Sequence, residues 1–138
     1  MNNVSHHCDH IGILTNNAGL LLSFYTEKMG FARTREEVLD RSLVEQIFDF
    51  AADCRFIKLT AGNFMIELFE PLHTEARART AEVAGLNHFG YCVKDREDYI
   101  NQLRMKNVDI IEVRRNSHTV YFVSDPDGNR IEIRQCVT

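Results

Sequence analysis

Apolar and polar positions alternate in short runs along most of the chain, and at a few places the alternation gives way to helical spacing. Residues 9–14 read as a strand. In "NNAGLLLSFYTEKMG", Leu20, Leu21, Phe24, Tyr25 and Met29 recur at helical intervals, and Gly30 is a suitable C-terminal stop. "FARTREEVL" returns to extended structure. "DRSLVEQIFDFAAD" puts Leu43, Val44, Ile47 and Phe48 on one helical face, which predicts a short helix or ordered loop. "CRFIKLT" and "FMIELFE" are strands around the turn "AGN", and Pro71 closes this half. Residues 72–85 form a polar connector, partly helical in expectation, ended by Gly85. A second set follows: the strand "LNHFGYCVK", and the helix "DREDYINQLRMKN" with Asp95 as N-cap and Tyr99, Leu103 and Met105 inward. The strands "VDIIEVR" and "HTVYFVS", the turn "DPDGN" and the strand "RIEIRQ" complete it.

The order is therefore β-α-β-β-β, written twice, which predicts an α+β fold of two modules, about residues 8–71 and 86–136, within one domain spanning 1–138. The helical segment near 39–52 is extra in the first module. Composition adds exclusions rather than detail. Hydrophobic residues make up 44% and charged residues 26%, which suits a globular chain and not a disordered one. A net charge of −4 with scattered Lys and Arg gives no nucleic-acid footprint. No apolar run approaches the ~20 residues of a membrane span. The opening "MNNVSHHCDH" carries no secretory pattern, so the expected compartment is the cytoplasm. Cys8, Cys54, Cys92 and Cys136 lack zinc-site spacing and read as reduced, small buried hydrophobes.

Within this repeat two residue types recur in the same order. His10 opens "HIGIL" and His88 opens "HFGYC"; Glu67 sits in "FMIELFE" and Glu132 in "NRIEIRQ". Between His10 and Glu67 lie 13 more positions than between His88 and Glu132, and the surplus falls in the extra segment. Side chains alternate across a strand, so His10, Glu67 and Glu132 each oppose an isoleucine-bearing face. A single glutamate between apolar neighbours is explained by one face being core and the other water. One imidazole and one carboxylate from each module is a different matter. If the modules pair about a pseudo-twofold axis, His10, Glu67, His88 and Glu132 converge. Two nitrogens and two carboxylates suit one borderline divalent ion per subunit, such as Zn²⁺, Ni²⁺, Co²⁺, Mn²⁺ or Fe²⁺.

The segments "HIGIL…LLSFYTEKMGF", "FMIELFEP", "GLNHFGYCVKD" and "FVSDPDGNRIEIRQ" resemble the vicinal oxygen chelate superfamily over about residues 8–136. Glyoxalase I, methylmalonyl-CoA epimerase, fosfomycin-resistance transferases, extradiol dioxygenases and bleomycin-resistance proteins belong to it. The resemblance implies two βαβββ modules pairing into a cupped, barrel-like sheet around a metal, with His10, Glu67, His88 and Glu132 as its ligands. In ligand set the chain is similar to bacterial glyoxalase I and to the epimerase, which often carries glutamine at the Glu67 position. It departs from glyoxalase I in having Ile11-Gly12-Ile13-Leu14 where an arginine for glutathione is expected, and Phe69-Glu70-Pro71-Leu72 where an asparagine is expected.

What the resemblance implies chemically is a metal-dependent lyase or isomerase, in the manner of lactoylglutathione lyase. Its substrate would be a small oxygen-chelating carbonyl compound or thioester, taken through an enediolate or enolate. Glu132 and Glu67 are the candidate catalytic bases. The alternatives are a fosfomycin-type thiol transferase, with Arg114, Arg115 and Arg130 supplying charge, an Fe(II) ring-cleaving dioxygenase using His10, His88 and Glu132, and a non-catalytic drug-binding resistance protein. Cys8, Cys92 and Cys136 share strand faces with these ligands, His6 and His7 precede them, and Arg33, Arg35, Arg55 and Lys58 could meet an anion. The partners expected are a small-molecule substrate and a second copy of the chain in a homodimer that covers the sheet edges. Neither nucleic acid nor membrane is expected.

Overall fold

The computed structural model describes residues 6–137; Met1–Ser5, part of the opening read as lacking a secretory signal, and Thr138 lie outside the described residues. The chain divides into two compact units, Met1–Arg77 and Ala78–Thr138.

In the first unit the elements run β1 (His10–Leu14), α1 (Ala18–Ser23), β2 (Ala32–Leu39), α2 (Arg41–Phe48), β3 (Cys54–Ala61) and β4 (Phe64–Pro71). They form one four-stranded sheet in the order β1-β4-β3-β2. The β1–β4 pair is parallel and the others are antiparallel. One face of this sheet is core. Ile13, Leu68 and Ile57 stand in one register row, Ile66 and Leu59 in the next, and all are buried together with Ala18, Leu21, Tyr25, Met29 and Phe31. Each such aliphatic side chain taken from water contributes roughly 1.5–3 kcal/mol, which is what fixes the strand register.

The helical spacing read over residues 16–30 resolves into two geometries. Asn17 caps α1 by accepting from the Leu20 amide, and Glu70 Oε2 accepts from the Ala18 amide at 2.7 Å. Past Ser23 the chain widens into a π-helical turn, Phe24–Lys28, with Met29 N donating to Phe24 O. The wider turn lets the adjacent rings of Phe24 and Tyr25 both enter the core, edge to face at 5.2 Å. Gly30 follows at φ +86°, the left-handed stop that favours glycine.

The extra segment does form a helix, α2, capped by Asp40. Its apolar face is not inward as a whole, however. Val44 is buried, while Leu43, Ile47 and Phe48 are exposed, Ile47 by 57%. The connector also differs from expectation: residues 72–85 hold bends and turns and no helix. Asn16 ties its start to the sheet, its side chain bonding both the N–H and the C=O of Ala76.

The second unit runs β5 (His88–Val93), α3 (Arg96–Met105), β6 (Ile110–Arg115), β7 (His118–Ser124) and β8 (Arg130–Gln135). Its sheet order is β5-β8-β7-β6, again with only the first pair parallel. Its buried face holds Ile131, Ile133, Tyr121 and Val123, with Ile100 and Leu103 of α3 among the buried residues of this unit. Met105, expected inward, is 77% exposed, and Ile100 takes the inward place. In "DPDGN" the buried Asp125 carboxylate accepts from the amides of Asp127 and Asn129 and from the Asn129 side chain, while Gly128 adopts φ +83°.

Asp95 caps α3 by accepting from the Asp98 amide. Asp95→Ala is expected to lower unfolding stability by about 1 kcal/mol, the usual cost of an N-cap, read as a lower denaturation midpoint at unchanged slope.

The fold is thus α+β, two βαβββ modules with α2 added to the first. Neither four-stranded sheet closes on itself, so the barrel-like closure in the expectation describes neither of them. Among the described residues no helix is long and apolar enough to cross a membrane.

Candidate metal centre

The parallel strand pair of each unit sets one histidine against one glutamate. In the first, Gly12 is the register partner of Glu67 and His10 that of Met65, so His10 and Glu67 share a face. Their Nε2 and Oε2 atoms lie 3.5 Å apart. In the second, Gly90 pairs with Glu132 and His88 with Arg130, and His88 Nε2 lies 3.7 Å from Glu132 Oε2. The glutamates are mostly covered, their side chains 18% and 17% exposed, while the histidines stand more open.

A glycine lies beside each glutamate in the strand register. A Cβ on Gly12 would touch the Phe69 ring at 3.4 Å, and one on Gly90 would reach the Arg134 stem at 3.9 Å. Both are ordinary contact distances, so glycine at these places leaves a small gap beside the neighbouring side chain and is not forced by a clash.

Both units also orient their donors alike. Asp9 Oδ2 lies 2.8 Å from His10 Nδ1, and Asn87 Oδ1 lies 2.9 Å from His88 Nδ1. In a neutral imidazole an oxygen at Nδ1 favours the proton there, which makes Nε2, the nitrogen turned to the glutamate, the atom that can bind an ion. The hydrogen bond from His10 holds the Asp9 carboxyl below its ordinary range. On the far side, the second oxygen of each glutamate meets a cation: Lys58 Nζ at 3.9 Å from Glu67 Oε1, and Arg134 Nη1 donating to Glu132 Oε1 at 3.1 Å. Each carboxylate is thus steered by one oxygen and leaves the other facing an imidazole.

The donor set fits a divalent ion. Separations of 3.5 and 3.7 Å are too long for hydrogen bonds. Two ligands ~2.1 Å from a common ion at a tetrahedral angle stand about 3.4 Å apart. The structure brings the four residues together as two pairs, one in each unit. Among the described residues no group of three or more His, Cys, Asp or Glu is assembled for an ion.

A model of the Glyoxalase/Bleomycin resistance protein/Dioxygenase superfamily matches residues 7–133. The chain belongs to that superfamily. Among superfamily relatives, the uncharacterized protein YaeR of Escherichia coli (strain K12) is 27% identical over 127 residues, covering 90% of this chain and 92% of YaeR. The crystal structure of a glyoxalase family protein from Enterococcus faecalis aligns at a TM-score of 0.69 and 25% identity, over 92% of this chain and 95% of that one. A trypanothione-dependent glyoxalase I of Leishmania major aligns at 0.66 and 22% identity, over 95% of this chain and 87% of its own. That last likeness is one of superfamily fold.

Other residues singled out in the sequence fall elsewhere. Arg33 is paired with Glu36, Arg35 with Glu37, and Arg55 with Glu36, so these three cations are held by carboxylates; Lys58 is the one that reaches the site. Cys54 is buried, as expected of a small hydrophobe, but Cys8 and Cys92 are exposed and Cys136 is half-buried; all four are free thiols. Desolvation and the neighbouring Cys136 push the Cys92 thiol up, away from the thiolate form a metal prefers. His6 and His7 are exposed and in no element. Asp9 and Asn87 are the residues the sequence reading passed over. Their signal was present: an Asp or Asn precedes the histidine in both halves, "DHIG" and "NHFG".

Proposed function

We propose that the chain is a divalent-metal-dependent lyase or isomerase acting on a small carbonyl or thioester substrate. In this reading His10, Glu67, His88 and Glu132 hold one ion per subunit, and the candidate ions are Zn²⁺, Ni²⁺, Co²⁺, Mn²⁺ and Fe²⁺. The observation that carries it is the repeated half-site: in each unit an Asx-locked imidazole directs Nε2 at a carboxylate oxygen, at a separation that suits two ligands of one ion.

A bound ion supplies Lewis acidity, which lowers the cost of building negative charge on a carbonyl oxygen. The chain's own residues supply the rest. Glu132 is the favoured base for the proton α to that carbonyl, with Glu67 as the second carboxylate able to return it. Arg134 and Lys58 hold one oxygen of each glutamate, so that the other is turned toward the imidazole and the ion. Return of the proton to a neighbouring carbon makes a glyoxalase or isomerase; return to the opposite face of the same carbon makes an epimerase. The test is metal analysis of the purified protein, expected to give about one divalent ion per chain. Hydrogen–deuterium exchange at α-carbons across a panel of carbonyl compounds and thioesters follows. A protein that neither retains an ion nor exchanges any α-proton would end the reading.

The same reading includes a cytoplasmic homodimer. Among the described residues each sheet leaves two strand edges unpaired, β1 and β2 in one, β5 and β6 in the other. Twofold association is the commonest way to cover such edges. Light scattering at micromolar concentration is expected to give twice the chain mass; a monomer would count against it.

A further inference from the structure

Positive charge is distributed unevenly between the two sheets. In a chain of net charge −4, the first sheet's Arg33, Arg35, Arg55 and Lys58 all have carboxylate partners. The face of the second sheet that carries Glu132 is different. By strand alternation and register it also presents Arg130 and Arg134 from β8, His118 from β7 and Arg115 from β6. Glu132 is the sole acidic residue among these face positions. Among the described residues Arg115, Arg130 and His118 have no ion-pair partner.

At the end of this face a cleft of about 320 Å³ opens between the start of β7, the end of β8 and the first turn of α3. Glu132, Arg134 and His118 line it from this face and Arg96 from the opposite one, with Val120 as its apolar patch. Arg96 is fixed in place: it donates to the Thr119 carbonyl, lies 4.9 Å over the Tyr121 ring and meets Glu97 at its other end. Arg134 is the opposite case. One of its five guanidinium N–H groups goes to Glu132, its side chain is well exposed, and the others are open to a ligand.

We propose that this cleft binds an oxyanion, a carboxylate or a phosphate, that the substrate carries a few atoms from its reacting carbonyl. Arg134 and His118 are its donors and Arg96 forms a fixed cationic wall. This rests on the reading of Glu132 as the base beside that carbonyl. Arg134 then links the two ends of the substrate, holding Glu132 with one N–H and the anion with others, and a guanidinium is the group whose planar fork suits either oxyanion. The apolar patch suits a short aliphatic stem. The volume is at the low end for ligand sites, so the class is a small anionic carbonyl compound and not a nucleotide conjugate lying wholly within the cleft.

The test uses the full chain, stripped of metal by chelation, in ¹H–¹⁵N spectra that resolve the Arg134 Nε–H and His118 ring signals. Inorganic phosphate and propionate are titrated separately at constant ionic strength, with chloride as the reference. The expected result is a saturable shift of both residues with at least one probe. Arg134→Ala should weaken it about tenfold or more, the scale of charge-assisted hydrogen bonds. His118→Ala should weaken it a few-fold. Arg114→Ala, on the opposite face and paired with Glu112, should leave it unchanged. Tighter phosphate assigns a phosphate monoester, tighter propionate a carboxylic acid. No saturable shift with either probe, or equal weakening by Arg114→Ala, overturns the proposal. Because no ion is needed, anion binding that persists in a protein without a metal site would overturn the metal reading alone. A protein with its ion and no anion binding would overturn this one alone.

Discussion

His88→Ala is expected to lose tight divalent-metal binding while keeping its fold. The imidazole is one of two nitrogen donors in the proposed set, and its Nε2 is the atom turned to Glu132. Loss of an outer-shell partner alone costs about 10–100-fold in metal affinity, so loss of the donor itself should exceed that range. Stability should change little by comparison. His88 is a partly exposed edge-strand residue whose main packing is an edge-on contact with Phe122 at 5.2 Å between ring centres. Such a ring contact is worth about 0.5–1.5 kcal/mol. Metal content after dialysis against a competing chelator, beside a denaturation curve, separates the two effects. Undiminished tight binding would remove His88 from the site, and with it the idea that the two modules supply matching ligands.

Glu132→Gln is expected to retain part of its metal and to lose about 10²-fold or more in rate, the scale of a lost general base. The substitution leaves the strand intact, since Ile131 and Ile133 are the buried neighbours and Glu132 lies on the other face. Glutamine keeps one oxygen, which can coordinate the ion or accept from Arg134 but cannot fill both places, so only part of the metal is retained; it also lacks the ability to take a proton. Glu67→Gln should be milder, because in the proposed reading Glu67 is the second carboxylate and not the favoured base. The measurement is solvent-deuterium incorporation at the substrate α-carbon in both variants. Normal incorporation by Glu132→Gln with metal bound would show that the base lies elsewhere.

Much of the architecture was legible because a strand with one buried face must alternate. "CRFIKLT", "FMIELFE", "HTVYFVS" and "RIEIRQ" all appear as strands, and the surplus in the first half is α2. The failures have physical causes. Helical spacing identifies a face but not what covers it, so Leu43, Ile47 and Phe48 were grouped with Val44 although only Val44 is buried. A π turn keeps an apolar pattern that a 3.6-residue period also explains, so Phe24–Lys28 read as ordinary helix. Met105 and Ile100 were exchanged because the inward stripe of α3 runs through Ile100 and Leu103, and Met105, its last residue, sits in the open. At the site, His10, Glu67, His88 and Glu132 stood out by repetition. Asp9 and Asn87 did not, because a polar residue just ahead of a strand reads as loop until its oxygen is seen at Nδ1. The charge excess around Glu132 was equally hidden. Only the register shows that Arg134 and His118 come to one cleft while Arg114 turns away with Glu112.

The repeat is one of order and spacing, but not of electrons. His10 leans on a carboxylate, Asp9, and His88 on a neutral amide, Asn87. An anionic partner makes its imidazole the stronger donor; an amide does so much less. The cations differ as well, a distant ammonium on Glu67 and a hydrogen-bonded guanidinium on Glu132. In the proposed reading the two imidazoles are therefore unequal donors to the ion, the one beside Asp9 the stronger.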